Sequence, residues 1–250
     1  MNPFKICEIS LAYCLLTSVA MAQVPSDAIK QGTVLDALGI QLSFFGNPMP
    51  LPPGKWEVIR RADSEVKLTG EGRSAAPKVS LTLRNTDVTA TLAAMVIGYT
   101  PEVIQIRWNG NVKCEDSKAN LVENFGTTTG SLTYACSISY ANKEGFKTFV
   151  ANAPAHANAW VKENLSPLVP YLADIPDRNI WSSLHVNRDR GRSLDIAFIA
   201  RSNTAISTGK PLDGATGTWI KSTGKAYIDF LEGNESIVQS IPVSAVAAAQ

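Results

Sequence analysis

Residues able to do chemistry are few in this chain. His156 and His185 are its two imidazoles. A metal site would need both, joined by a carboxylate such as Asp174 or Asp177, and no spacing brings them together. His156 lies near a helix start and suits a surface or cap position. His185 follows Leu184 in a strand and suits a half-buried, hydrogen-bonded one. Two S-x-x-K matches, Ser64 with Lys67 and Ser222 with Lys225, have the spacing that sets an amine beside a serine nucleophile on one helical turn. Ser64 lies in a strand-like stretch, where that geometry fails. Ser222 and Lys225 fall near the polar side of a helix. No H-E-x-x-H, G-x-S-x-G or complete phosphate-loop motif occurs. The sequence therefore names no catalytic residue, no metal ligand and no cofactor.

The basic residues from 178 to 201 form a second group. Arg188, Arg190 and Arg192 flank a hairpin tip, with Arg178 and Arg201 further out. A two-residue spacing can splay guanidinium forks toward one anion, such as phosphate or carboxylate. Asp189 and Asp195 balance part of this charge, so a solvated turn explains the cluster more simply.

The compartment comes from the first residues. Lys5 precedes an apolar stretch from Ile6 to Val19, and Ala20-Met21-Ala22 has the small-x-small form of a cleavage site. This pattern predicts a secretory signal peptide over 1–22, cleaved after Ala22 to leave Gln23 first. Export implies an oxidising space, periplasmic or extracellular. Cys7 and Cys14 leave with the leader, and Cys114 and Cys136 remain. An even pair in an exported chain predicts one disulfide, whose loop of roughly twenty residues stabilises the fold by about 3 kcal/mol. Lys and Arg total 23 against 22 Asp and Glu. That balance argues against a nucleic-acid partner. No later stretch is long enough to cross a membrane as an apolar helix.

These residues must be held by regular elements. Residues 23–50 read as an irregular segment with a short helix from Ser26 to Leu38, followed by prolines that interrupt regular structure. Residues 51–244 read as one domain, and 245–250 as a frayed tail. Period-two patterns predict strands over Lys55–Arg61, Lys78–Arg84, Val88–Tyr99, Val103–Trp108 and Ser131–Tyr140. Asn109-Gly110 is a strong hairpin signal. In the last of these strands Leu132, Tyr134, Cys136, Ile138 and Tyr140 share an apolar face, which points Cys136 at the core. A helix follows over Ala155–Asn164, with Trp160, Val161 and Leu165 inward. Strands Trp181–Val186 and Ser193–Ala200 form the arginine-tipped hairpin. The last element is a helix over about Thr218–Leu231, striped with Trp219, Ile220, Tyr227, Phe230 and Leu231. Trp56, Trp108, Trp160 and Trp219 all fall on apolar faces, which assigns them to core packing rather than sugar stacking. Strands with segregated helices predict an α+β fold: an antiparallel, meander-like sheet with a few helices on one face.

The run Leu51-Pro52-Pro53-Gly54-Lys55-Trp56-Glu57-Val58 resembles the opening of exported bacterial proteins that share an L-P-P-G-x-W start, an internal cysteine pair and a late Trp-bearing helix. The resemblance spans most of the mature chain and implies one domain. It implies no activity. The expected protein is a non-enzymatic component of the cell envelope that binds a protein partner or an anionic envelope ligand. The alternative is an envelope hydrolase whose site follows no familiar motif.

Overall fold

Leu81 and Leu83 face one side of their strand and Ser80 and Thr82 the other, and this alternation recurs through the molecule. The computed structural model describes residues 22–25, 28–36, 40–44, 47–67, 75–88, 90–100, 119–128, 133–142, 145–152, 158–172, 179–187, 193–201, 214–234 and 236–239. The strands are β1 (Ala22–Pro25), β2 (Val34–Asp36), β3 (Ile40–Phe44), β4 (Asn47–Pro48), β5 (Lys55–Lys67), β6 (Ala75–Asn85), β7 (Leu92–Thr100), β8 (Leu121–Thr128), β9 (Thr133–Asn142), β10 (Asn179–Asn187) and β11 (Ser193–Arg201). The helices are α1 (Phe146–Ala151), α2 (Asn158–Asn164), α3 (Val169–Leu172) and α4 (Gly214–Leu231). Eight strands form one antiparallel sheet in the order β2-β5-β6-β7-β11-β10-β9-β8, and β1, β3 and β4 form a small second sheet. The fold is α+β, as the pattern of strands and helices predicts. The expected strand over Val103–Trp108, the expected Asn109-Gly110 turn, all of the leader expected over 1–22 except Ala22, and the tail expected from 245 lie outside the described residues.

Every residue of β7 is buried. Its place between β6 and β11 explains its apolar sequence, because both of its faces are covered. On one face Trp56, Val58, Leu81, Leu83, Met95, Ile97 and Phe198 pack against Trp219, Tyr227 and Phe230 of α4. On the other, Val96, Ala197 and Ile199 pack against Phe146, Val161, Leu165, Leu168 and Leu172 from α1 to α3. The helices thus divide between two faces rather than sharing one. A central strand that is apolar on both sides requires cover on both sides.

The segment before residue 51 also differs from expectation. No helix spans Ser26 to Leu38 among the described residues. Gly32 adopts φ +84°, and its N–H donates to the Val58 carbonyl at 2.8 Å. The Val58 N–H in turn donates to the Thr33 carbonyl at 2.9 Å. These backbone groups pair with β5 instead of with their own helical turn. β2 then extends the sheet beyond β5, with Leu35 opposite Trp56. Ile29, Leu35 and Met49 belong to the same core as α4.

β9 keeps its predicted alternation, and Cys136 is fully buried on the expected side, but the opposite side is covered as well. Ala135, Ser137 and Ser139 are fully covered, while Ile138 and Tyr140 are half-exposed. Ala135 lies in the core beneath α4. Ser139 Oγ donates to Ser182 Oγ at 2.9 Å, and the Ser137 and Ser182 hydroxyls lie 3.3 Å apart. Small hydroxyl-bearing residues bring a helix close to a sheet without leaving polar atoms unpaired.

α4 begins at Gly214, earlier than its apolar stripe suggests. Thr216, Trp219, Ile220, Thr223, Gly224, Ala226, Tyr227, Phe230 and Leu231 are its buried positions, at helical spacings. Gly233 ends the helix at φ +82°, with Gly233 N–H to the Phe230 carbonyl and Asn234 N–H to the Asp229 carbonyl. That pair of bonds is a Schellman cap, which needs the left-handed conformation glycine allows. Among the described residues no helix is long and apolar enough to cross a membrane.

Candidate functional site

Adjacent strands place one residue each on a common line across the sheet. On the face opposite α4, His185 of β10 pairs with Asp195 of β11, which pairs with Gly98 of β7, which pairs with Ser80 of β6. Lys78 stands two residues from Ser80 and shares its side of β6. Beside this line lies a cleft of about 390 Å³. Val96 and Ala197 give it apolar walls, Trp160 of α2 stands at its rim, and Ser80 and Ser183 add hydroxyls.

Asp195 is the centre of this cleft. Its Oδ1 accepts from His185 Nδ1 at 2.9 Å and its Oδ2 accepts from Lys78 Nζ at 2.9 Å. Burial pushes the Asp195 carboxyl up. The His185 hydrogen bond and the nearby Lys78 and His185 charges outweigh burial and hold it down at about 2. The carboxylate is therefore ionised near neutral pH and can only accept. With Asp195 ionised, His185 Nδ1 donates in that bond. The structure assigns this tautomer through the partner's charge.

Glycine at position 98 makes the arrangement possible. Lys78 lies on β6 and Asp195 on β11, with β7 between them. The lysine stem crosses β7 where Gly98 has no side chain: a Cβ there would stand 2.9 Å from Lys78 Cε and 3.2 Å from Nζ. Glycine inside an apolar strand commonly marks such a close approach.

His185 is half-buried and hydrogen-bonded, as its strand position suggests, but it is not isolated. Its partners were legible only as ordinary surface charges: Lys78 on a polar strand face, and Asp195 as a counter-charge to the arginines. His156, Asp174, Asp177, Arg178, Arg188, Arg190, Arg192 and Cys114 lie outside the described residues. Arg201 Nη1 donates to the Ala90 carbonyl at 2.7 Å, a tie between chain segments. Cys136 is fully buried on β9, directly opposite His185.

Neither S-x-x-K pair forms a nucleophilic site. Ser64 is exposed on a strand. Ser222 Oγ donates to the Trp219 carbonyl at 3.0 Å, while Lys225 Nζ pairs with Asp229 at 2.9 Å. Trp56 and Trp219 are core residues, at 0 % and 4 % exposure. Trp160 is not: at 40 % exposure it borders the cleft, although Val161 and Leu165 point inward as expected. No cluster of three metal-ligating side chains occurs among the described residues.

No protein-family model, curated protein or solved structure matches this chain.

Proposed function

We propose that this chain is an exported, non-enzymatic binding protein of the cell envelope, and that the Lys78–Asp195–His185 cleft holds a small anionic envelope component. One observation carries the reading. Both oxygens of Asp195 are engaged, by Lys78 and by His185. The polar end of the cleft therefore offers mainly donors: the remaining Lys78 N–H groups and, once protonated, His185 Nε2. Donors above an apolar floor with few polar groups describe a ligand site. The leader pattern over 1–22 supports placing that site outside the cytoplasm.

The test has two parts. Expression with the native leader should yield an exported protein whose sequence starts at Gln23. A small-molecule extract of the envelope, titrated into that protein, should shift the His185 imidazole resonances. The shifts should vanish in Lys78→Met. Retention of Met1 in the membrane overturns the export reading, and unchanged His185 resonances overturn the binding reading.

The His185–Asp195 pair favours a second reading, a hydrolase. A carboxylate on Nδ1 orients an imidazole as a general base acting through Nε2. Lys78 would then stabilise developing negative charge. Conversion of the bound compound, detected by mass and lost in His185→Gln, would select this reading over the first.

A further inference from the structure

We infer that the Ala22–Gln23 bond is a processing site cut efficiently only before the chain folds, so that release of the leader precedes the pairing of β1 with β3. The inference rests on the export reading and adds the order of events.

The small-x-small run Ala20-Met21-Ala22 puts the scissile bond between Ala22 and Gln23. The structure puts the same two residues at the start of β1, not in a linker. Ala22 stands opposite Ile40, Gln23 opposite Gln41, Val24 opposite Leu42 and Pro25 opposite Ser43, in a parallel ladder. Both residues of the scissile bond belong to that ladder, together with the two that follow.

The supporting strand is itself tied to the rest of the molecule. β3 lies against β2 and continues into β4, with Ser43 opposite Pro48 and Phe44 opposite Asn47. Ser43 is buried. A few residues on, Met49 and Leu51 enter the core beneath α4. β1 therefore pairs with a strand that the fold holds in place.

Cleavage needs the opposite state. A peptidase takes its substrate as an added extended strand, through hydrogen bonds to the substrate backbone around the scissile bond. Water then adds across that bond. Its hydroxyl goes to the Ala22 carbonyl carbon, its proton goes to the Gln23 nitrogen, and the C–N bond breaks. In the folded chain the backbone that would enter the peptidase is committed to β3. Cutting then draws only on the fraction of molecules in which β1 has opened. A chain that folds before it is cut keeps its leader for longer.

The full-length precursor tests this in detergent solution with a purified signal peptidase. Mixed with the enzyme straight from urea, the precursor should yield a product starting at Gln23, read by mass. Refolded first, it should be cut at least about tenfold more slowly. A four-residue Gly-Ser spacer between Gln23 and Val24 moves the scissile bond away from the strand. The refolded spacer variant should regain the rate of the unfolded chain. Should that variant fail to refold, the two wild-type rates decide alone. Equal rates for refolded and urea-diluted precursor overturn the inference and leave the export reading standing. A refolded spacer variant that stays protected also overturns it, since the ladder is then not what shields the bond. Absence of the Gln23 product in both forms overturns the export reading and the inference with it.

Discussion

Gly98 lies directly beneath Lys78, so close that a methyl group there would stand 2.9 Å from Lys78 Cε. The ion pair between β6 and β11 thus depends on an atom that β7 lacks. Gly98→Ala should deflect the lysine and separate it from Asp195. The stability change should be small. A strand alanine gains about 0.5–1 kcal/mol over glycine, and a half-exposed ion pair contributes about 0–1 kcal/mol. Cleft binding of an anion should fall about tenfold, the 1.4 kcal/mol scale of one lost contact. An unchanged thermal midpoint with lost binding is the expected signature, and unchanged binding would refute the link.

Acid should weaken the fold through Asp195. Its folded carboxyl is held down at about 2, against an ordinary value of 3.8. The ionised form is favoured in the folded state, so its contribution is complete above the unfolded value. It is lost as pH falls from about 4 to about 2. Asp195 is 38 % exposed, so solvent screening reduces the contribution to about 1 kcal/mol. Urea unfolding of the wild type and Asp195→Asn should differ by a constant amount above about pH 5 and converge toward pH 2. A constant difference throughout would show that Asp195 plays no such part.

Gly224 faces Phe125 across the gap between α4 and β8. A Cβ at Gly224 would overlap the Phe125 ring. Alanine in a helix interior is normally worth about 1 kcal/mol over glycine. Forcing a methyl group into a filled space costs about 1–3 kcal/mol. Overpacking should win, and Gly224→Ala should lower the thermal midpoint. Adding Phe125→Leu should recover part of the loss. A stabilised single variant would mean the ring moves aside freely.

Trp219 is the anchor of α4. Its ring meets Phe198 edge-on at 5.4 Å, and its Nε1 donates to the Gln239 carbonyl at 2.7 Å. Trp219→Ala should cost about 3–5 kcal/mol, a large part of a domain's stability. Chemical denaturation reads this directly. An unaltered midpoint with lost membrane or partner association would instead make the helix a docking face.

Cys136 should pair with Cys114, because these are the two cysteines that removal of the proposed leader would leave. The Cα atoms should then lie within about 7 Å. Protein exported, denatured and left unreduced should show no titratable thiol, and reduction should cost about 3 kcal/mol. Two free thiols in the unreduced sample would sink the pairing.

Strand positions were legible where alternation was strict, as in Lys78–Arg84. They were lost where tertiary pairing overrode local preference. Residues 26–38 have acceptable helix composition, yet Gly32 and Thr33 bond to Val58 and form an edge. β8 also escaped notice, since Leu121–Thr128 alternates weakly and carries a register shift against β9. The serine face of β9 misled for a related reason: apolarity marks a buried face only where the covering element needs no close approach. For the cleft, each charged residue was visible on a polar strand phase, but its meaning required register. Lys78 and Asp195 are 117 residues apart in sequence. The one local hint was Gly98, a glycine interrupting Val96-Ile97 and Tyr99.

The strand order also sets a timetable. β5, β6 and β7 form one run of neighbours, β8, β9 and β10 another, and β11 alone bonds to both β7 and β10. Until Ser193–Arg201 leaves the ribosome, β7 has an open apolar edge and, among the described strands, no ladder joins the two halves. Such distant pairing delays closure of a sheet. A nascent chain that cannot close stays threadable for most of its synthesis. A stop before residue 193 would release two unjoined half-sheets prone to clump through that bare edge.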